Sequence, residues 1–182
     1  MHPPRRYPPL LEAAGRWLYL LPLVWVAPGL ALAGALAPVL LEGGGPPPAP
    51  HGPLALPDAL IHGPAAPAVP ALAASILLGN ALAGVAVPWL LARLAPFAPR
   101  LFVLLWALRV GWLATPAGLP GGGWYLTWCA LLLVGEFAAY AQIADLASRG
   151  APEGQLARRA GAALVLLALL AFYEAYVIAR VL

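Results

Sequence analysis

Five apolar stretches, each near the length a helix needs to cross a bilayer, constrain this chain more than any other feature. They run approximately over Trp17–Leu41, Ala71–Ala92, Leu101–Gly118, Trp124–Leu146 and Gly161–Val181. A spanning helix needs about 20 mostly apolar residues, so the third stretch, the shortest, stands at the lower limit. Only 9% of the 182 residues are charged and 63% are hydrophobic, where a water-soluble domain carries roughly a quarter of its residues as charged side chains. The expected fold class is therefore all-α: one membrane domain over residues 1–182, a polytopic integral membrane protein built as a five-helix transmembrane bundle.

The placement of arginine sets the orientation. Arg5, Arg6 and Arg16 precede the first span, Arg93 and Arg100 bracket the second connection, and Arg149, Arg158 and Arg159 fill the fourth. The loop 42–70, "EGGGPPPAPHGPLALPDALIHGPAAPAVP", and the loop around "PAGLPGGG" hold no basic residue. Under the positive-inside rule this alternation predicts a multi-pass protein of a prokaryotic cell (inner) membrane, with a cytoplasmic N-terminus and an external C-terminus. Arg180, at the outer end of the last span, is the one exception, and its side chain is long enough to snorkel to the interface. Trp17, Tyr19, Trp124, Tyr125 and Trp128 fall where interfacial aromatics are expected. Proline and glycine rule out a regular helix through most of 42–70, which reads as an external loop. The N-terminal arginines and "ALAGALA" superficially resemble a secretory signal. The apolar run is too long for one and Pro38 would follow the cut, so the first span is expected to be retained.

Several function classes find little support. Ser75 and Ser148 are the only serines and neither has a histidine near it in sequence, so no hydrolase nucleophile with its base is legible. The glycine runs 43–45 and 121–123 lack the lysine and hydroxyl residue of a phosphate loop. Cys129 is the only cysteine, which excludes an intrachain disulfide and a two-cysteine metal site. His51 and His62 flank Asp58 in the external loop, where solvated polar residues are preferred to a metal site. No enzyme activity, cofactor or metal is expected. The arginines sit in short clusters beside apolar segments, as topology determinants do, so no nucleic-acid partner is expected either.

What remains is a set of polar residues at membrane depth. Asn80, Arg109, Glu136 and Glu174 all lie near the middle of the second, third, fourth and fifth spans. A charged residue at the bilayer centre costs on the order of 2.5 to 3.5 kcal/mol on insertion scales, so these four are expected to face inward as an intramembrane polar network. The simplest arrangement pairs Arg109 with Glu136 or Glu174 and leaves Asn80 to hydrogen-bond the remaining carboxylate. One arginine facing two glutamates leaves one spare proton-binding position. Trp106 and Trp112 flank Arg109 by three residues and are placed to stack on it. Small residues four apart, including Ala27 with Ala31, Gly29 with Ala33 and Asn80 with Gly84, would permit close helix contact.

The polar landmarks also follow a family pattern. "ILLGNALAGVAVP", "VGEFAAYAQIA" and "RRAGAALVLLALLAFYEAYVIARVL" resemble, in order and spacing, the asparagine-bearing second, glutamate-bearing fourth and arginine-led final spans of the stage II sporulation protein M family, the DUF95 integral membrane proteins. The likeness covers approximately Ala71–Leu182. Leu132 and Leu133 stand where that family carries His-Gly. The resemblance implies a noncatalytic scaffold or membrane subunit of a cell-envelope assembly. Its expected partners are the lipid bilayer and other membrane or envelope proteins, a separate ATPase or cell-wall enzymes among them, with a homo-oligomer also open. The alternative is a transporter or permease component whose polar centre takes a proton, an ion or a small polar substrate.

Overall fold

A computed structural model describes the backbone of residues 15, 17–41, 69–113 and 123–181, and within these all side chains except those of 38–41, 123–129 and 177–181. Helix is the only regular structure among the described residues, without a strand: α1 Leu23–Leu41, α2 Val69–Ala81, a π-helical turn Leu82–Ala86, α3 Val87–Leu94, α4 Ala98–Leu113, α5 Gly123–Ser148 and α6 Glu153–Val181. Residues 42–68 with His51, Asp58 and His62, residues 114–122, Arg5, Arg6 and Arg16, and the side chains of Trp124, Tyr125, Trp128, Cys129 and Arg180 lie outside the described residues.

Among the described residues three helices are long and apolar enough to cross a membrane, Val69–Leu94, Ala130–Ser148 and Glu153–Tyr176, and Leu23–Ala37 is a shorter apolar stretch of α1. Three of the five expected spans correspond to these helices, and the first expected span is interrupted near its start by proline. Residues 17–20 are helical, but the helix breaks at Leu21 and Pro22, and α1 restarts with Trp25 and Val26 donating to the Pro22 carbonyl at 2.9 and 3.1 Å. In a continuous helix the Trp25 amide would serve Leu21, so the break leaves the Leu21 carbonyl without its helical donor. α4, the third expected span, is described over 16 residues that carry both Arg100 and Arg109.

α5 stands at the centre, packing against α1, α4, α6, the π-turn and α3, while α1 also lies along α4, and α2 along α6. Phe137, Tyr140, Ala141, Ile143 and Ala144 of α5 are accordingly all buried. Small residues set these approaches. Ala27, Ala31 and Ala35 of α1 meet Ala107 and Gly111 of α4, and a Cβ on Gly34 would come within 2.7 Å of the Leu108 carbonyl. Gly29 and Ala33, the other spacing read from the sequence, face outward.

The connection between α5 and α6 is shorter than the sequence suggests. The Gly150 and Ala151 amides donate back to the Ala147 and Leu146 carbonyls at 3.2 and 3.1 Å, and Gly150 takes φ 64°. This is a Schellman stop, in which glycine tolerates the left-handed conformation that ends a helix. Pro152 then opens α6, its carbonyl accepting from Gln155 and Leu156. Arg158 and Arg159 therefore stand on the first turns of α6 rather than in a loop.

Candidate functional site

The sequence places one asparagine, Asn80, in the last turn of α2, two residues before the helix widens into the π-turn. Pro88 accounts for that widening. It has no N–H to offer Gly84, four residues back, or Ala83, five back. The Val87 amide, which would serve Ala83 in an α-helix, bonds the Leu82 carbonyl instead. Ala83 is thereby left with neither donor. π-turns of this kind recur at functional positions inside helices.

Gly84 in this turn lies flat against α5, where a Cβ would overlap the Tyr140 ring. That approach carries Asn80, about one turn away, up to Glu136, one turn before Tyr140. The Asn80 amide nitrogen donates to the Glu136 carboxylate. Glu136 is 8% exposed. Glu174, partly buried and one and two turns on from the buried Ala171 and Leu167 of α6, brings a second carboxylate into electrostatic range of Glu136, and the Tyr140 phenol feels both. Glu174 makes no hydrogen bond or ion pair among the described residues.

Arg109 does not join them, which corrects the expected pairing. Its side chain is exposed on the outside of α4, with its guanidinium 5.5 Å from the Trp106 ring centre. The cause is helical phase. Arg100, Val103, Ala107 and Gly111 form the buried face of α4. Nine residues turn a helix by about 180° beyond whole turns, so Arg109 stands opposite Arg100. Of the four sequence-predicted residues, three converge: Asn80 and Glu136 in contact, and Glu174 beside them.

A second charged cluster was not legible as one. Arg100, which reads in the sequence as a topology determinant in a loop, is 1% exposed and is the largest fully buried side chain. Its guanidinium donates to the Asp145 carboxylate of α5 and to the Leu21 carbonyl freed by the break at Pro22. The Tyr19 ring lies 5.4 Å away, and the Tyr19 hydroxyl donates to the Ser148 carbonyl at 2.9 Å. Arg149 completes the cluster by pairing with Asp145 at 2.9 Å, four residues along α5. The four-residue spacing of Asp145 and Arg149 is the signal that marks it in the sequence.

The two clusters are in register. Arg109 follows Arg100 by nine residues on α4 and Glu136 precedes Asp145 by nine on α5. Both positions are thus about 14 Å along their helices from the Arg100–Asp145 pair, which puts Arg109 and Glu136 at one level on different faces.

Chemically, the Asn80, Glu136, Glu174 and Tyr140 group is an oxygen-rich, net acidic centre without a cation from the described residues. It offers proton-accepting oxygens in apolar surroundings. Among the described residues no group of three or more His, Cys, Asp and Glu is placed to hold a metal ion. No family model, curated protein or solved structure matches the chain.

Proposed function

We propose that this chain is a noncatalytic, five-span membrane subunit of a cell-envelope assembly whose Glu136–Glu174 pair takes up and releases a proton in a transport or gating step. The observation that carries the reading is the meeting of two carboxylates in the bundle interior with Asn80 as the hydrogen-bond donor and Arg109 turned away. Two carboxylates in one apolar site repel when both are ionised, and a shared proton removes the repulsion. Ionisable groups turned into a transmembrane bundle are functional candidates for proton relays. The π-turn beside Asn80 supports the reading, since turns of this kind recur at functional positions inside helices.

The scaffold role implied by the stage II sporulation protein M resemblance is the second reading. It is favoured by the same Asn80–Glu136 bond, because a hydrogen bond between helices fixes which faces meet. One experiment separates the two. In vesicles loaded with a pH-sensitive dye, the purified chain is expected to carry protons across the membrane under an applied potential. Glu136→Gln is expected to abolish that movement while leaving the protein folded and monodisperse. Absence of proton movement by the wild-type chain, with Glu136→Gln impairing only assembly, would leave the scaffold.

A further inference from the structure

The outer face of α4 raises a problem that the bundle does not solve. Leu105 and Leu108, 61% and 47% exposed, with Trp112 beside them, form an apolar surface, and Arg109 stands in its middle. Apart from the Trp106 ring, Arg109 has no hydrogen-bond or ion-pair partner among the described residues. If α4 lies in the bilayer, as the five-span reading holds, the guanidinium is at about the level of Glu136. That level is about 14 Å from the Arg100–Asp145 pair, one turn from the end of α5. About half the thickness of the hydrocarbon core then separates it from either headgroup layer, and snorkelling falls short of both. A guanidinium held there calls for an acceptor within the membrane.

We propose that this face docks a transmembrane helix of a different polypeptide that carries a carboxylate near mid-membrane and pairs it with Arg109. Charge complementarity selects the occupant. A second copy bound symmetrically through the same face would set Arg109 against its own equivalent. A second copy bound by any other face would need an exposed carboxylate at this level. Among the described residues Glu136 and Glu174 are turned inward, and Glu153 opens α6 at the far end. The arrangement is bidentate-capable: an arginine fork matches a carboxylate, and the flanking leucines and Trp112 supply the apolar contact around it.

The proposal rests on the reading of α4 as membrane-embedded, and the test keeps the two apart. The full chain, donor-labelled at its N-terminus, is reconstituted in phosphatidylcholine vesicles with an acceptor-labelled polyleucine transmembrane peptide bearing one central glutamate. Energy transfer is expected to report association at least about tenfold tighter than with an all-leucine or a central-lysine peptide, a difference of about 1.4 kcal/mol. Arg109→Leu and Arg109→Gln are expected to remove that preference, and Glu136→Gln to leave it intact. Circular dichroism and size-exclusion chromatography report whether each variant is folded. Equal binding of the glutamate and leucine peptides would overturn the proposal. So would a preference that survives both Arg109 variants, or one that emerges only when phosphatidylglycerol is added. Self-association of the chain that Arg109→Leu abolishes would assign the face to a second copy instead. In a Cys129→Ser chain, Leu105→Cys should resist a water-soluble maleimide. Rapid labelling would remove the membrane reading and the proposal with it, whereas protection without peptide preference would remove the docking proposal alone.

Discussion

The two charged clusters of this bundle stand about 14 Å apart along α5 and solve opposite problems. At the end of α5, Asp145 has Arg100 on one side and Arg149 on the other, and Arg100 also holds the Leu21 carbonyl. In the middle of α5, Glu136 has an amide and a second carboxylate for neighbours. The first cluster meets its one carboxylate with two arginines and ties three chain segments together. The second is left acidic. The comparison teaches that Arg100 and Arg149 are spent on architecture, and that the acidic centre is not neutralised by Arg109, which stands at its level on another face.

Mutations that remove one partner should separate the clusters by energy. The largest effect is expected at Arg100, which is 1% exposed and bonded to two other segments, one through a carboxylate and one through a carbonyl. Arg100→Met leaves a carbonyl and part of a carboxylate without donors, and should lower stability by about 3 kcal/mol, read as a drop in the unfolding midpoint in detergent. Next comes Gly84→Ala. Its Cβ would overlap the Tyr140 ring, so a loss of about 1 to 3 kcal/mol is expected from overpacking. Tyr140→Ala in the same chain should recover part of that loss in a double-mutant cycle, because the two sites share one contact.

Two smaller effects sharpen the contrast. Glu136→Gln keeps a carbonyl for the Asn80 amide and removes one of two facing charges, so unfolding in detergent should shift by no more than about 1 kcal/mol. A fall as large as that of Arg100→Met would show the centre to be as architectural as the other cluster. Arg149 is 62% exposed and pairs along one helix. Arg149→Ala should cost about 0.5 kcal/mol or less, and still less in high salt.

Much of this was open to reading in the sequence. Apolar length gave the helical membrane class. The depth of Asn80, Glu136 and Glu174 followed from counting along the spans, and the close approach at Gly84 from its spacing to Asn80. The errors have definite physical causes. Depth along a helix does not fix direction around it, and Arg109 was assigned inward on depth alone. The small residues Ala107 and Gly111 mark the inner face of α4, and their phase relative to Arg109 carries the missing information. Arg100 was hidden for a different reason. Its acceptor is a main-chain carbonyl released by a proline 78 residues earlier in the chain, a pairing that exists only after folding. The first expected span, Trp17–Leu41, is not one continuous helix, because its apolar composition continues through a break in the hydrogen-bond ladder at Pro22.

The π-turn makes one property of the acidic centre a matter of chain length. Leu82–Ala86 forms a turn one residue longer than α-geometry needs, placed between Pro88 and Asn80. Deleting a single residue there would close the turn into α-geometry and leave the helix on either side nearly in phase, because the turn already absorbs one residue more than the α-helical count. Deleting one between the turn and Asn80 would instead swing everything upstream by about 100° and point Asn80 away from Glu136, with no change in any residue of the centre itself. The aim of that side chain is held by a count, which the π-turn can give up by one residue and the α-helical turn beside it cannot.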